Sequence, residues 1–217
     1  MSTRAFWGCL ILTVCLFASA KNVAAESRTQ TAASYVELGD KLAHLKDFDR
    51  AIGSYSIALQ FAPDFAPAYL KRGIAYETLG NFSKAISDYT KALDLFPRLT
   101  TALYNRGNLR LNEGDVDGAL SDFDQALEND SRHAMAYNNR GIAKVYKGDL
   151  NGAMADFNEA IKIDSHNPEA YVNRGLVRWQ QGLTVAAEHD FAKSVELRPS
   201  LRSFIDVRVN QISQRQF

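Results

Sequence analysis

Arginine and aspartate recur together at a fixed spacing through most of this chain. The pairs are Arg72 and Asp88, Arg106 and Asp122, Arg140 and Asp156, and Arg174 and Asp190, and at the matching places before them stand Leu38 and Ser54. An arginine packed between helices needs a carboxylate, because a buried unpaired charge is costly. We therefore expect structural ion pairs, either within one repeat or between neighbours. An arginine row that binds acidic ligands is the alternative.

Three asparagines share this spacing, and each directly precedes one of the arginines. They are Asn105, Asn139 and Asn173. An amide offers both a donor and an acceptor, which matches the backbone of an extended peptide without reading its sequence. Most side-chain hydrogen bonds serve structure instead. The asparagine row is therefore predicted either to contact a peptide ligand or to join neighbouring helices.

The elements that carry these residues follow a period of 34. Gly73, Gly107, Gly141 and Gly175 recur at this interval, and Gly39 extends the series backwards. A fixed period of this length indicates a repeat solenoid. Within each frame the apolar spacing is that of two amphipathic helices, about 135–147 and 151–163 in the fourth. The frames are 32–65, 66–99, 100–133, 134–167 and 168–201.

Small and large residues recur at set places in the frame. Glycine occupies position eight, and alanine occupies positions twenty and twenty-seven except for Ser194 in the fifth frame; two helix axes must approach closely there. Position twenty-four is always aromatic: Tyr55, Tyr89, Phe123, Phe157 and Phe191. Gly80, Gly114, Gly148 and Gly182 stand where the first helix ends, since a left-handed terminal residue favours glycine. Lys46 takes that place in the first frame.

Gly at position eight, Ala at twenty, an aromatic at twenty-four, Ala at twenty-seven and Pro at thirty-two resemble the tetratricopeptide repeat. In the second frame these are Gly73, Ala85, Tyr89, Ala92 and Pro97. The resemblance covers 32–201. It implies an all-α fold, a right-handed α-solenoid of five helix-turn-helix repeats whose first helices line a concave groove.

The resemblance also implies which side chains face that groove. Beside the asparagine row they are Tyr104, Asn108, Asn112, Asn138, Tyr146 and Trp179. Aromatic side chains among amides suit a groove that anchors a few side chains of a partner. The carboxylate clamp of some family members is rejected, because Tyr104, Glu169 and Asn173 stand where it needs cations.

No constellation for metal binding or catalysis emerges from the sequence. Glu113, Asp115 and Asp117 imitate the start of a calcium loop, but the same stretch is predicted to be the turn of the third repeat. The four histidines lack zinc-ligand spacing, and no nucleophile–base spacing stands out. We therefore expect no cofactor, no metal and no enzymatic activity.

The segment 1–25 is typical of a secretory signal peptide. Arg4, an apolar run at 6–18 and small residues after it predict cleavage after Ala20 or Ala25; an uncleaved membrane anchor is the alternative. Both cysteines, Cys9 and Cys15, lie in this segment, so the mature protein would hold no disulfide. We expect a secreted or periplasmic protein without membrane contact after cleavage. With 25 basic and 25 acidic residues, the charge gives no case for nucleic acid.

The repeats are flanked by two short segments. Residues 26–31 are polar and aperiodic, which predicts a disordered lead-in. In 202–217, apolar residues at steps of three and four form one helical stripe, and we expect a capping helix at about 202–214 followed by a tail. Partner binding by this helix is the alternative.

These features together predict a non-catalytic adaptor for protein–protein interactions that binds an extended peptide or partner segment in its groove. The alternative is a structural or oligomerisation scaffold that uses the convex surface or the C-terminal helix. The sequence identifies neither the partner nor the oligomeric state.

Overall fold

The computed structural model describes residues 26–215, and this range is helical with short turns and no strand. The predicted signal peptide at 1–25 lies outside the described residues. The helices are α1 (26–44), α2 (Phe48–Phe61), α3 (Ala66–Thr78), α4 (Phe82–Leu95), α5 (Thr100–Asn112), α6 (Val116–Asn129), α7 (Ala134–Tyr146), α8 (Leu150–Ile163), α9 (Pro168–Gln180), α10 (Thr184–Leu197) and α11 (Arg202–Arg215), with a 3-10 turn at Pro199–Leu201.

The chain divides into two compact units after Pro97. In the first unit α1, α2 and α3 share one core, and α3 also packs on α4. In the second unit α5 pairs with α6, α7 with α8 and α9 with α10; α6 packs on α7, α8 on α9, and α11 on α9 and α10. The predicted all-α class of helix-turn-helix pairs is confirmed.

Each pair is joined by the same tight turn. Asp47, Asp115 and Asp149 precede second helices, and their carboxylates accept the backbone N–H three residues later. The residue that ends each first helix is left-handed, at φ 75° to 86° for the four glycines and φ 61° for Lys46. The backbone turn is therefore the same in the first repeat, although a lysine must adopt the strained conformation.

The closest approach within a pair is a glycine against an aromatic ring. A Cβ added at Gly141 would lie 2.6 Å from Phe157 Cε1, and one at Gly73 would lie 2.7 Å from Tyr89 Cε1. These rings are fully buried. Frame positions eight and twenty-four therefore form one contact that sets the distance between the two helices of a repeat.

The expected disordered lead-in at 26–31 is wrong, because these residues form the first turns of α1. Neither glycine nor proline occurs between Glu26 and Gly39, so nothing in the sequence stops the helix from extending beyond its packed part. The Thr31 hydroxyl donates to the Ser27 carbonyl within this exposed segment, at 2.9 Å.

Replacing Gly141 by alanine is expected to lower the free energy of unfolding by about 1–3 kcal/mol, because the new methyl group would overlap the Phe157 ring. Urea unfolding measures this change. Gly53→Ala is the matched control: Gly53 is exposed within α2, with nothing within 4 Å of the new methyl group. Helix propensity should make that variant more stable by about 0.5–1 kcal/mol. Equal effects of the two substitutions would contradict the close-contact interpretation.

Replacing Lys46 by glycine is expected to stabilise the protein by about 0.5–1 kcal/mol. Glycine adopts the left-handed backbone of the folded state without strain, and this gain exceeds the free energy by which the more flexible glycine favours the unfolded chain. The reverse change at the equivalent turn, Gly148→Ala, should destabilise it by a similar amount. Thermal unfolding of both variants measures the pair. Destabilisation by Lys46→Gly would show that the lysine side chain itself supports the turn.

Candidate functional site

The four arginines of the first helices bind the four aspartates of the second helices in the same repeat. Each guanidinium donates two hydrogen bonds, one from Nε and one from Nη2, to the two carboxylate oxygens. The distances are 2.7 and 2.8 Å for Arg72 and Asp88, 3.0 and 2.7 Å for Arg106 and Asp122, 2.9 and 2.7 Å for Arg140 and Asp156, and 3.0 and 2.6 Å for Arg174 and Asp190. The aspartates are buried. The structure thus decides the pairing that the sequence left open, and we call these pairs the ion-pair row.

A second cation reaches each aspartate in the last three repeats. Arg110 lies 2.8 Å from Asp122, Lys144 lies 2.8 Å from Asp156 and Arg178 lies 2.7 Å from Asp190. The pairing of these cations with the aspartates was not predicted from the sequence. Each cation follows its row arginine by four residues and so lies on the same face of the helix, which is the signal that could have identified them. Two cations around one carboxylate explain why a buried aspartate is tolerated there.

Three of the row arginines also reach back to the preceding repeat. Their Nη1 atoms donate to the residue sixteen positions earlier: Arg72 to Ser56 Oγ at 3.0 Å, Arg140 to Asp124 Oδ1 at 2.7 Å, and Arg174 to Asn158 Oδ1 at 2.8 Å. One guanidinium therefore joins the two helices of its own repeat and the second helix before them. Within each unit the ion-pair row thus holds neighbouring repeats together.

The row is chemically unsuited to releasing its arginines for a ligand. The hydrogen bonds to Asp88 and Asp156 raise the pKa of Arg72 and Arg140 above the ordinary arginine value, although burial acts in the opposite direction. The guanidinium groups also lie over the rings of Tyr69 and Tyr137, at 5.7 and 5.3 Å. The charge and the hydrogen-bond donors of these two guanidinium groups are thus already engaged by side chains of the protein itself.

Asp156→Ala is expected to lower the free energy of unfolding by about 3–5 kcal/mol, because Arg140 and Lys144 would face each other without their shared carboxylate. Urea unfolding measures the loss. Asp117→Ala removes an exposed ion pair with Lys147 in the same unit and should cost less than about 1 kcal/mol. If both variants lost the same small amount, the ion-pair row would have no structural role.

The asparagines of the second unit form a hydrogen-bonded chain across three first helices. The Nδ2 atoms donate from Asn173 to Asn138 at 2.9 Å, from Asn138 to Asn139 at 2.9 Å, and from Asn139 to Asn108 at 2.7 Å. Asn139 Nδ2 also lies 3.3 Å from the Tyr104 hydroxyl. We call Asn108, Asn138, Asn139 and Asn173 the amide chain; it joins α5, α7 and α9.

Most hydrogen-bonding groups of the amide chain are used within the protein, and only some are left for a ligand. Asn139 donates its amide hydrogens to Asn108 and Tyr104 and accepts at its carbonyl oxygen from Asn138, and Asn138 is buried. The chain does not use the carbonyl oxygen of Asn173 or the NH₂ group of Asn108, each at one of its ends. Asn139 therefore positions its neighbours, and the two ends remain available for hydrogen bonds to a ligand.

The other residues predicted for the groove fall into different environments. Asn105 is half-buried on α5, Asn112 is exposed at the end of that helix, and Tyr146 is 71% exposed at the end of α7. Trp179 is half-buried; its ring packs beside Phe191, and its Nε1 donates to Ser213 Oγ at 3.3 Å. The tryptophan anchors α11, and its contact with a ligand stays a prediction.

A cleft of about 360 Å³ lies between α7, α9 and α11, and we call it the terminal cleft. Its apolar lining comes mainly from the first helices, and amide, phenol and guanidinium groups stand beside it. The lining residues are Ile142, Val145, Tyr146, Phe157, Asn173, Leu176, Val177, Gln180, Arg208, Gln211 and Ile212. One end of the amide chain, Asn173, thus belongs to the terminal cleft.

The first unit has a smaller cleft of about 260 Å³. Inside it the Tyr55 hydroxyl donates to Asp40 at 2.8 Å, and Lys71 lies 3.2 Å from the same carboxylate. Burial, and after it the hydrogen bond to Asp40, raise the pKa of the Tyr55 hydroxyl. The tyrosine therefore stays neutral, and its hydrogen bond joins α1 to α2.

Within residues 26–215 no group of three or more histidine, cysteine, aspartate or glutamate side chains is arranged to hold a metal ion. Asp115, from the calcium-like stretch, caps the N-terminus of α6 instead. In the same described range no helix has both the length and the apolar character needed to span a bilayer.

Paired helices of fixed spacing, with glycine packed on an aromatic ring in each pair, define a helical repeat protein. Family models described as tetratricopeptide repeat match residues 36–100, 70–134 and 168–201, and a TPR repeat model matches 143–182. The chain belongs to the tetratricopeptide repeat family, whose members typically bind other proteins and are non-catalytic. Comparison with curated protein sequences finds no match.

Solved structures of the same fold include the MamA protein, at 26% identity and a TM-score of 0.71 over 81% of this chain and 96% of that one. YrrB, described as a TPR protein with an unusual peptide-binding site, shares 20% identity at a TM-score of 0.72, over 88% and 97% of the two chains. PilF of Pseudomonas aeruginosa shares 17% identity at a TM-score of 0.67, over 87% and 91%.

Proposed function

We propose that the protein is a non-catalytic adaptor that binds an extended peptide segment of a partner protein along α5, α7 and α9. The observation that carries the proposal is the terminal cleft, which combines an apolar lining with one end of the amide chain. Clefts of about 300–1,000 Å³ with a few polar groups are typical of binding sites. The description of YrrB as carrying a peptide-binding site supports the same use of this fold.

The amide chain suits this role because it is already ordered. Its internal hydrogen bonds hold Asn139 between Asn108 and Asn173, so a ligand need not immobilise these side chains on binding. The carbonyl oxygen of Asn173 can accept a peptide N–H, and the NH₂ group of Asn108 can donate to a peptide carbonyl. Contacts of this kind hold a backbone with little regard to its sequence, and the terminal cleft adds selection of a side chain.

The place of action that we propose is outside the cytoplasm, either secreted or periplasmic. The proposal rests on the signal-peptide pattern of residues 1–25 and on the absence of cysteine after Cys15. Equal numbers of acidic and basic residues favour a protein partner over nucleic acid.

Photocrosslinking tests the groove directly. A photoreactive phenylalanine analogue at Tyr146, at the edge of the terminal cleft, is expected to form an adduct with a partner in native cells. The control position is Val185, which is similarly exposed, at 81%, but lies on second helix α10. Adducts with the same partner at both positions, or at Val185 alone, would contradict binding in the groove.

Self-association is the second candidate role, favoured by Phe204 and Val207, which are 48% and 55% exposed on α11. Sedimentation velocity over a range of concentrations separates the two roles. The adaptor proposal expects a monomer whose behaviour is unchanged by Val207→Ser. A stable oligomer that this substitution dissociates would favour the scaffold.

A further inference from the structure

Arg208 differs from the other arginines at its place in the frame. It comes one full period after Arg174, yet in the described chain no carboxylate pairs with it, and its Nη1 donates to Gln211 Oε1 at 3.2 Å. The residue sixteen positions earlier is Ala192, whereas Ser56, Asp124 and Asn158 accept hydrogen bonds from the row arginines. Arg208 therefore repeats the row without the groups that neutralise it.

The side chain of Arg208 lines the terminal cleft and is exposed. Among the described residues of that lining Arg208 carries the only charge, and none is acidic. Within residues 26–215 the terminal cleft thus has one positive charge that no carboxylate pairs with, beside Gln211 and Asn173. The apolar part of its lining, with Ile142 and Leu176, accepts an uncharged group.

We propose that the terminal cleft binds a peptide segment in which a large apolar side chain stands next to a carboxylate. The apolar side chain fills the space lined by Ile142, Leu176 and Ile212, and the carboxylate pairs with Arg208. This inference rests on the groove proposal and adds to it the chemistry of the ligand.

Arg208 offers an ordered positive charge that is complementary to a carboxylate. A guanidinium forms charge-assisted and often bidentate hydrogen bonds with a carboxylate, and these are stronger than bonds between neutral groups. Gln211 accepts one of the Arg208 hydrogen bonds and so orients the fork. The clamp rejected from the sequence needed cations on the first helices, whereas this cation comes from α11.

The carboxylate is either a peptide C-terminus or an acidic side chain, and three fluorescein-labelled peptides distinguish the two. The first is Gly-Ser-Gly-Ser-Leu with a free C-terminal carboxylate, the second is its C-terminal amide, and the third is Gly-Ser-Gly-Leu-Asp-Ser amide. Fluorescence anisotropy with the full chain measures their affinities. One acidic peptide, or both, is expected to bind about tenfold more tightly than the neutral amide.

Arg208→Gln is expected to abolish this preference, because it removes the charge and keeps a polar side chain of similar length. Arg202→Gln is the matched control, since Arg202 is exposed on the same helix and is not part of the cleft lining. That variant should retain the tenfold difference. Raising the salt concentration should weaken binding of the acidic peptide far more than binding of the amide.

The outcomes separate this inference from the proposal beneath it. Equal affinity for acidic and neutral peptides, or a preference that survives Arg208→Gln, overturns the carboxylate assignment and leaves groove binding in place. Failure of all three peptides to bind, when Tyr146 still crosslinks a partner, also overturns this inference alone. Failure of the peptides together with no adduct at Tyr146 overturns both.

Discussion

In the second to fifth repeats the arrangement of the helices depends on the ion pair between the buried aspartate of the second helix and the arginine of the first. Asp156 receives two hydrogen bonds from Arg140 and an ion pair from Lys144, while Arg140 also reaches Asp124 in the preceding repeat. A buried carboxylate is costly without such partners. The network therefore fixes how the first helix is rotated against both second helices that it touches.

That rotation determines which side chains the proposed binding surface presents. Asn139 directly precedes Arg140, and Asn173 directly precedes Arg174, so the arginine side chains hold the asparagines on the neighbouring face of the same helix. Asn139 then meets Asn108 and Asn138. The asparagine row thus serves structure at its centre, and the groups left for a ligand lie at its ends and in the terminal cleft.

Much of the fold could be predicted because it depends on local spacing. The repeat period, the left-handed turns and the pairing of glycine with an aromatic ring follow from helix periodicity and side-chain volume, and the helices begin where the frame places them. The lead-in at 26–31 is helical and not disordered as expected, since the period marks where packing starts and not where a helix starts. The contacts of Trp179 with α11 could not be predicted, because its frame position describes an inner repeat, which has no final helix beside it.

Period and residue type were sufficient to predict the class of fold, the residues of the ion-pair row and the presence of a final helix. Tertiary structure decided which aspartate each arginine meets, which amides satisfy one another and where Arg208 lies. The physical reason is that periodicity specifies the face of a helix on which a residue stands. The rotation and distance of the neighbouring helix, which come from packing and buried hydrogen bonds, decide what that residue touches.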